Sequence, residues 1–110
     1  MKAIIKVDAG ICGFHTNIHA VSDDTQNVEF KIASGCEKIR EFAEALVAKG
    51  AVDGYAEIGS GAEGVVLTTA RESLKGCCAG CAVPVGVFKA MQVAAGLALP
   101  KDVILNVSAE

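Results

Sequence analysis

Five cysteines stand in this chain of 110 residues, and three of them fall within the short run Cys77-Cys78-Ala79-Gly80-Cys81. The other two each lie beside a glycine, in Cys12-Gly13 and Gly35-Cys36. Thiolates gathered from several parts of a chain hold zinc or iron–sulfur clusters in proteins. Glycines let the backbone approach a bulky inorganic centre. The cysteines therefore predict a soft-metal site, with an iron–sulfur cluster as the first hypothesis.

The segment Cys78-Ala79-Gly80-Cys81 has CxxC spacing, at which two sulfur atoms of one turn reach a single metal centre. Zinc knuckles, iron–sulfur sites and thiol redox pairs share this spacing. We expect four cysteines to be the metal ligands, and they are Cys12, Cys36, Cys78 and Cys81. Cys77 is then a spectator, although the choice between Cys77 and Cys78 is close.

Composition and charge narrow the class of protein. Hydrophobic residues make up 52% of the chain and aromatic residues 5%, which predicts a single domain, residues 1–110, with an aliphatic core. The formal net charge is −3, and no cluster of lysine or arginine indicates a nucleic acid or an anionic membrane as partner. No stretch reaches the roughly 18 apolar residues of a membrane span. The N-terminus is also unlike a signal peptide. We therefore expect a cytoplasmic protein with reduced thiols.

Three segments of alternating apolar and polar residues predict an antiparallel meander with one face to be covered. They are residues 2–7, 16–21 and 28–33, and the connections between them are short. The polar run at residues 22–27 is typical of a turn. Residues 103–107 are predicted to form a last strand.

Three helical segments are predicted to provide the cover. Ser34-Gly35-Cys36-Glu37 has the spacing of a capping box with Ser34 as N-cap, and Gly50 is the expected stop. The buried face of this first helix is predicted to contain Ile39, Phe42, Ala43, Leu46 and Val47. Residues 51–64 are predicted to form a loop with one short element, and residues 65–74 a helix. A last helix is expected from Pro84 to about Ala98, with Val87, Phe88, Met91 and Ala95 on its buried stripe.

These elements predict an α+β fold: a three-stranded antiparallel meander, with the C-terminal strand as an optional fourth, covered on one face by two or three helices. Cys12 then lies in the loop between the first two strands, Cys36 opens the first helix and Cys81 opens the last. If both helix N-termini lie at the end of the sheet that carries this loop, the cysteines converge. Positive helix ends would then face an anionic thiolate centre, which they stabilise.

This order of elements and cysteines resembles the NifU/IscU-type iron–sulfur cluster scaffold domain over residues 3–98. That family has its first cysteine in a Cys-Gly-Asp loop, its second in a Gly-Cys at a helix start and its third in a His-Cys opening the last helix. By resemblance, Cys12, Cys36 and Cys81 take these positions. Phe14 stands where the family has aspartate, and Gly80 where it has histidine. The resemblance therefore implies cluster binding, while the departures put cluster assembly in doubt.

Cys77 or Cys78 then supplies the missing ligand of an all-cysteine site, which favours a stably held [4Fe–4S] or [2Fe–2S] cluster or a structural zinc. The expected function is a cluster carrier, an assembly-related module or an electron-transfer module, and no residue pattern indicates an enzyme. The expected partners are a cluster donor or acceptor protein or a redox partner, and two chains sharing one cluster would form a homodimer. The alternatives are a zinc-binding interaction module and a thiol–disulfide redox protein using Cys78 and Cys81.

Overall fold

Three consecutive strands form the antiparallel meander that their alternating residues predict. The computed structural model describes residues 1–110 and places β1 at Lys2–Asp8, β2 at His15–Val21 and β3 at Asn27–Ser34. β1 pairs with β2, and β2 with β3, both antiparallel. The inward side chains are fully or partly buried, and they are Ala3, Ile5, Val7, Thr16, Ile18, Ala20, Val28, Phe30 and Ile32. The predicted α+β class and the one-sided cover are confirmed.

A fourth strand completes the sheet, but it is not the C-terminal one. β4 consists of Val52–Asp53 and pairs antiparallel with residues 27 and 28 of β3, so that the strand order is β1-β2-β3-β4. Residues 103–107 have no regular secondary structure, and every residue from Lys101 to Glu110 is exposed. The predicted C-terminal strand is therefore wrong, because a β-prone segment forms a strand only when a neighbouring strand edge completes its hydrogen bonds.

Four helices cover the sheet, and their bounds are α1 at Glu37–Ala48, α2 at Gly54–Ser60, α3 at Val65–Ser73 and α4 at Val83–Ala94. Two 3₁₀ turns lie at Gly61–Glu63 and Gly76–Gly80. Residues 51–64 are thus more regular than the predicted loop. The last helix ends at Ala94, earlier than predicted, and Gly96 follows it with a φ of +73° in the left-handed region that favours glycine.

The start of α1 differs from the predicted capping box. Cys36 is the N-cap residue, and its side chain makes no capping hydrogen bond. Ser34 remains in β3 opposite Thr16, and its hydroxyl accepts hydrogen bonds from the Thr16 hydroxyl at 2.8 Å and from the Cys36 N–H at 3.1 Å. Strand pairing therefore holds Ser34 in the sheet, and the helix begins at Glu37.

The predicted buried face of α1 is confirmed for Ile39, Phe42, Ala43 and Leu46, whereas Val47 is 56% exposed. Gly50 ends the helix with a φ of +82°, as predicted.

α4 lies directly on the sheet, and its contacts fix its direction. A Cβ atom on Gly86 would lie 2.8 Å from Cγ2 of Val7 and 3.3 Å from Cδ1 of Ile18. A Cβ atom on Gly96, beyond the other end of the helix, would lie 3.5 Å from Cε of Met1. Since Val7 is near the end of β1 and Met1 precedes its start, α4 runs antiparallel to β1. The N-terminus of α4 therefore faces the end of β1.

Residues 76–94 have the length and the mean hydropathy, 1.5, of a membrane-spanning helix. Most of this stretch is α4, where Val83, Val87, Ala90, Met91 and Ala94 are buried in the hydrophobic core. The predicted burial of Val87, Met91 and Ala95 is confirmed, and Phe88 is partly buried against the core. The apolar character of this stretch is thus accounted for by the core of a globular domain.

Candidate metal centre

The topology of the sheet brings the first two cysteines to the same end. In the meander, Asp8 at the end of β1 pairs with His15 at the start of β2, and Ser34 at the end of β3 pairs with Thr16. Cys12 lies in the loop that joins β1 to β2, and Cys36 follows β3 directly. We call this side of the molecule, where β1 and β3 end, the cysteine end.

The loop that carries Cys12 packs against the residue that precedes Cys36. A Cβ atom on Gly35 would lie only 3.2 Å from Cδ1 of Phe14, so that the Phe14 ring covers the backbone at Gly35. Within the loop, the Gly13 N–H donates to the Gly10 carbonyl at 2.9 Å, and both glycines have a positive φ. The residue that stands where the NifU/IscU family has aspartate is therefore a packing contact between the two cysteine-bearing segments.

The remaining cysteines lie on the approach to α4. Cys77 and Cys78 belong to the 3₁₀ turn at Gly76–Gly80, and the Cys81 N–H donates to the Cys78 carbonyl at 3.1 Å. Cys81 precedes the first residue of α4 by two positions, and the N-terminus of α4 faces the end of β1. Cys77, Cys78 and Cys81 are therefore at the cysteine end as well.

Exposure divides the five thiols into two groups. Cys12 and Cys77 are exposed. Cys36, Cys78 and Cys81 are partly buried and pack against the edge of the hydrophobic core. All five are free thiols. The predicted ligand set thus combines three half-buried sulfur atoms with one on a glycine-containing surface loop.

Three of the other thiols act electrostatically on Cys81. Burial raises the pKa of the Cys81 thiol, and a backbone hydrogen bond from Val83 opposes this effect. Negative charge on Cys12, Cys36 and Cys78 raises the same pKa further. The three cysteines that act on Cys81 are the three with which it forms the predicted ligand set, and Cys77 is not among them.

The four thiols do not form a finished single-ion site in this structure. No group of three or more histidine, cysteine, aspartate or glutamate side chains lies close enough together to hold a metal ion. The sulfur donors fit a soft metal by their chemistry, but their positions are not those of a closed coordination shell.

One charged residue at the cysteine end does not stand out in the sequence. The Arg40 guanidinium donates from Nη1 to the carbonyl oxygens of Ser34 at 3.2 Å and of Gly35 at 3.1 Å. The Arg40 N–H donates to the Cys36 carbonyl at 3.0 Å within the first turn of α1. The Arg40 guanidinium and the N-terminus of α1 therefore both lie beside the backbone segment that carries Cys36. The only sequence signal is that Arg40 lies one helical turn after Cys36.

Comparison with protein families gives one match. A model described as a family of unknown function, DUF6951, matches residues 3–107, so the chain belongs to that family. Neither curated proteins nor solved structures give a match.

Proposed function

We propose that this DUF6951 domain binds an iron–sulfur cluster, [4Fe–4S] or [2Fe–2S], through Cys12, Cys36, Cys78 and Cys81. The proposal is carried by one observation: strands, loop and helices place these four cysteines at the same end of the sheet. An isolated cysteine is ordinarily a small buried hydrophobe. Four cysteines that come from three separate segments and meet at one end are better explained by a shared ligand.

The sulfur donors suit a cluster as well as a single zinc ion. All sulfur ligands of one zinc ion lie about 2.3 Å from it, and no three of the thiols lie close enough together to hold one ion. The cysteine ligands of a cluster are divided among two or more iron atoms. An iron–sulfur cluster is therefore our first proposal, and zinc is the alternative cofactor.

The chain itself contributes charge and access to this proposed centre. A thiolate-ligated cluster is anionic, and it would meet the N-terminus of α1 and the Arg40 guanidinium, which is held against Ser34 and Gly35. When bound, the cluster would supply one-electron transfer or transferable iron and sulfide. Since Cys12 and Cys77 are exposed, a donor, acceptor or redox partner protein could approach the centre from solvent. Such a carrier or electron-transfer role belongs in a reducing cytoplasm.

The thiol–disulfide alternative is less well supported. A reactive redox cysteine has a lowered pKa, because the thiolate is the attacking species. The pKa of Cys81 is instead raised by its burial. Cys81 therefore lacks the activated thiolate that this chemistry needs, although the spacing of Cys78 and Cys81 allows a disulfide to be tested.

The experiment that tests the proposal is anaerobic reconstitution with iron and sulfide, applied to the wild-type protein and to five single serine variants. Substitution of Cys12, Cys36, Cys78 or Cys81 by serine should remove most of the bound iron and sulfide and the visible sulfur-to-iron absorption. Cys77→Ser is the matched control and should retain them. If the protein takes up no iron but holds one tightly bound zinc ion, the result would contradict the cluster and support a zinc-binding interaction module. If the protein holds no metal after reconstitution, only the thiol–disulfide redox hypothesis would remain.

A further inference from the structure

The C-terminal arm, residues 101–110, is an apolar segment without a partner. Its large side chains are exposed to 54% at Val103, 76% at Ile104, 73% at Leu105 and 95% at Val107. No residue after Leu97 takes part in a backbone hydrogen bond, and none of the arm is in a strand or helix. The family match extends to residue 107, so the apolar part of the arm belongs to the domain that the family shares.

The sheet has a long open edge at β1, to which such an arm could add. β1 pairs only with β2, so that every second residue of Lys2–Asp8 directs an unpaired N–H and C=O to the other side. On the opposite side of the sheet, β4 pairs with residues 27 and 28 of β3. Open edges of this length readily pair with another extended segment.

The arm and β1 have the same alternation of residue types. In a parallel in-phase register, Asp102 lies beside Lys2 and Ile104 beside Ile4 on the uncovered face of the sheet. On the covered face, the three inward residues of β1 meet three apolar residues of the arm, in the pairs Ala3 with Val103, Ile5 with Leu105 and Val7 with Val107. Ile5 and Val7 are only half-buried by the chain's own helices, so the arm would complete their cover. Opposite charges and matching apolar faces both favour this pairing.

We propose that the arm of one copy adds to the β1 edge of a second copy, and that the two copies exchange arms reciprocally in a twofold homodimer. The chain leaves α4 beside Met1, at the start of its own β1, and yet its arm makes no pairing with that strand. Pro100, just before the arm, lacks a backbone N–H and restricts the conformation of Leu99. Reciprocal exchange between two copies pairs the β1 edge of each copy, which closes the assembly at two. The proposal is independent of cluster binding.

The first test is the mass in solution of metal-free protein, kept in reductant and chelator so that neither a shared metal nor a disulfide can link the chains. Size-exclusion chromatography with light scattering should show a dimer that dissociates on dilution. Leu105→Asp places a charge on the covered face and should weaken dimerisation about tenfold or more. The matched control Asn106→Asp places its charge on the uncovered face, beside Lys6, and should dimerise at least as tightly as the wild type. A wild-type protein that is monomeric at all concentrations would overturn the proposal.

The second test identifies the strand that receives the arm. Lys2→Glu should weaken the dimer by like-charge contact with Asp102, and adding Asp102→Lys in the same chain should restore it. Hydrogen exchange should protect the amides of residues 103–107 in concentrated protein and lose this protection on dilution. Protection that is independent of concentration would mean that the arm pairs within its own chain, and absence of protection would mean that it pairs with nothing. Either result would overturn the exchange.

Discussion

Gly86→Ala tests the close contact between α4 and the sheet, which places the N-terminus of α4 at the cysteine end. The added Cβ would lie 2.8 Å from Cγ2 of Val7, closer than van der Waals contact allows, and 3.3 Å from Cδ1 of the fully buried Ile18. Val7 is β-branched and therefore stiff at χ1, so the clash must be relieved by a shift of helix against sheet. Overpacking of this kind costs about 1–3 kcal/mol. Replacing a helical glycine by alanine gains at most about 1 kcal/mol, which offsets part of the cost.

The matched control is Gly59→Ala in α2, where no atom lies within 4 Å of the added Cβ. This variant should gain helix propensity without a clash. The difference in free energy of unfolding between the two variants therefore isolates the packing cost, and we expect Gly86→Ala to be less stable than Gly59→Ala by about 1–3 kcal/mol in urea denaturation at 25 °C. Equal stability of the two variants, or greater stability of Gly86→Ala, would refute the close approach of α4 to the sheet.

Three further predictions concern the rest of the fold and the thiols. The buried Glu57 carboxylate accepts hydrogen bonds from the first two N–H groups of α3 at 2.8 and 2.7 Å. Glu57→Gln should therefore destabilise the domain by about 1–3 kcal/mol in urea denaturation. The control Glu63→Gln changes an exposed side chain and should have little effect. The side chain and the backbone N–H of Asn27 donate hydrogen bonds to Asp24, and these bonds hold the pKa of the Asp24 carboxyl well below its usual 3.8. The ionised carboxyl therefore stabilises the fold above about pH 3.8. Asp24→Asn should destabilise the protein at neutral pH, and the loss should shrink as the solution is acidified below pH 3.8. A difference in free energy of unfolding between wild type and variant that does not change with pH would contradict this. In metal-free protein, iodoacetamide should alkylate the exposed Cys77 before Cys81, whose pKa is raised. Mass spectrometry of digested samples taken over time would show the order, and alkylation of Cys81 first would contradict the prediction.

Local patterns were sufficient to predict the meander and α1. Alternation at β1, β2 and β3 identifies which side chains enter the core, and short connections leave antiparallel pairing as the simple arrangement. The order of elements predicted that the cysteines converge only if both helix N-termini lie at the end of the sheet that carries the Cys12 loop. The direction of α4, which meets this condition, follows from its contacts with Val7 and Met1. The sequence could not give the distances between the thiols, since these depend on how Phe14 packs on Gly35 and how α4 lies on β1.

The elements missed by sequence reasoning depend on nonlocal partners. β4 has only two residues and exists because it pairs with the start of β3. α2 is held by Asp53, whose carboxylate accepts from Tyr55 and Ala56, and Glu57 from this short helix caps the next one. The segment at residues 103–107 has the composition of a strand, but no edge of its own chain receives it. Local propensity alone cannot decide such cases.

Iron–sulfur binding at the cysteine end is tested most directly by the metal content of protein isolated anaerobically, before any reconstitution. Iron, acid-labile sulfide and zinc would be measured per chain together with the visible absorption spectrum. If the cysteine end holds an iron–sulfur cluster, the protein should be brown, with matched iron and sulfide and little zinc. A colourless protein with stoichiometric zinc, or one without metal that also fails to take up iron and sulfide, would contradict the assignment of the cysteine end as an iron–sulfur site.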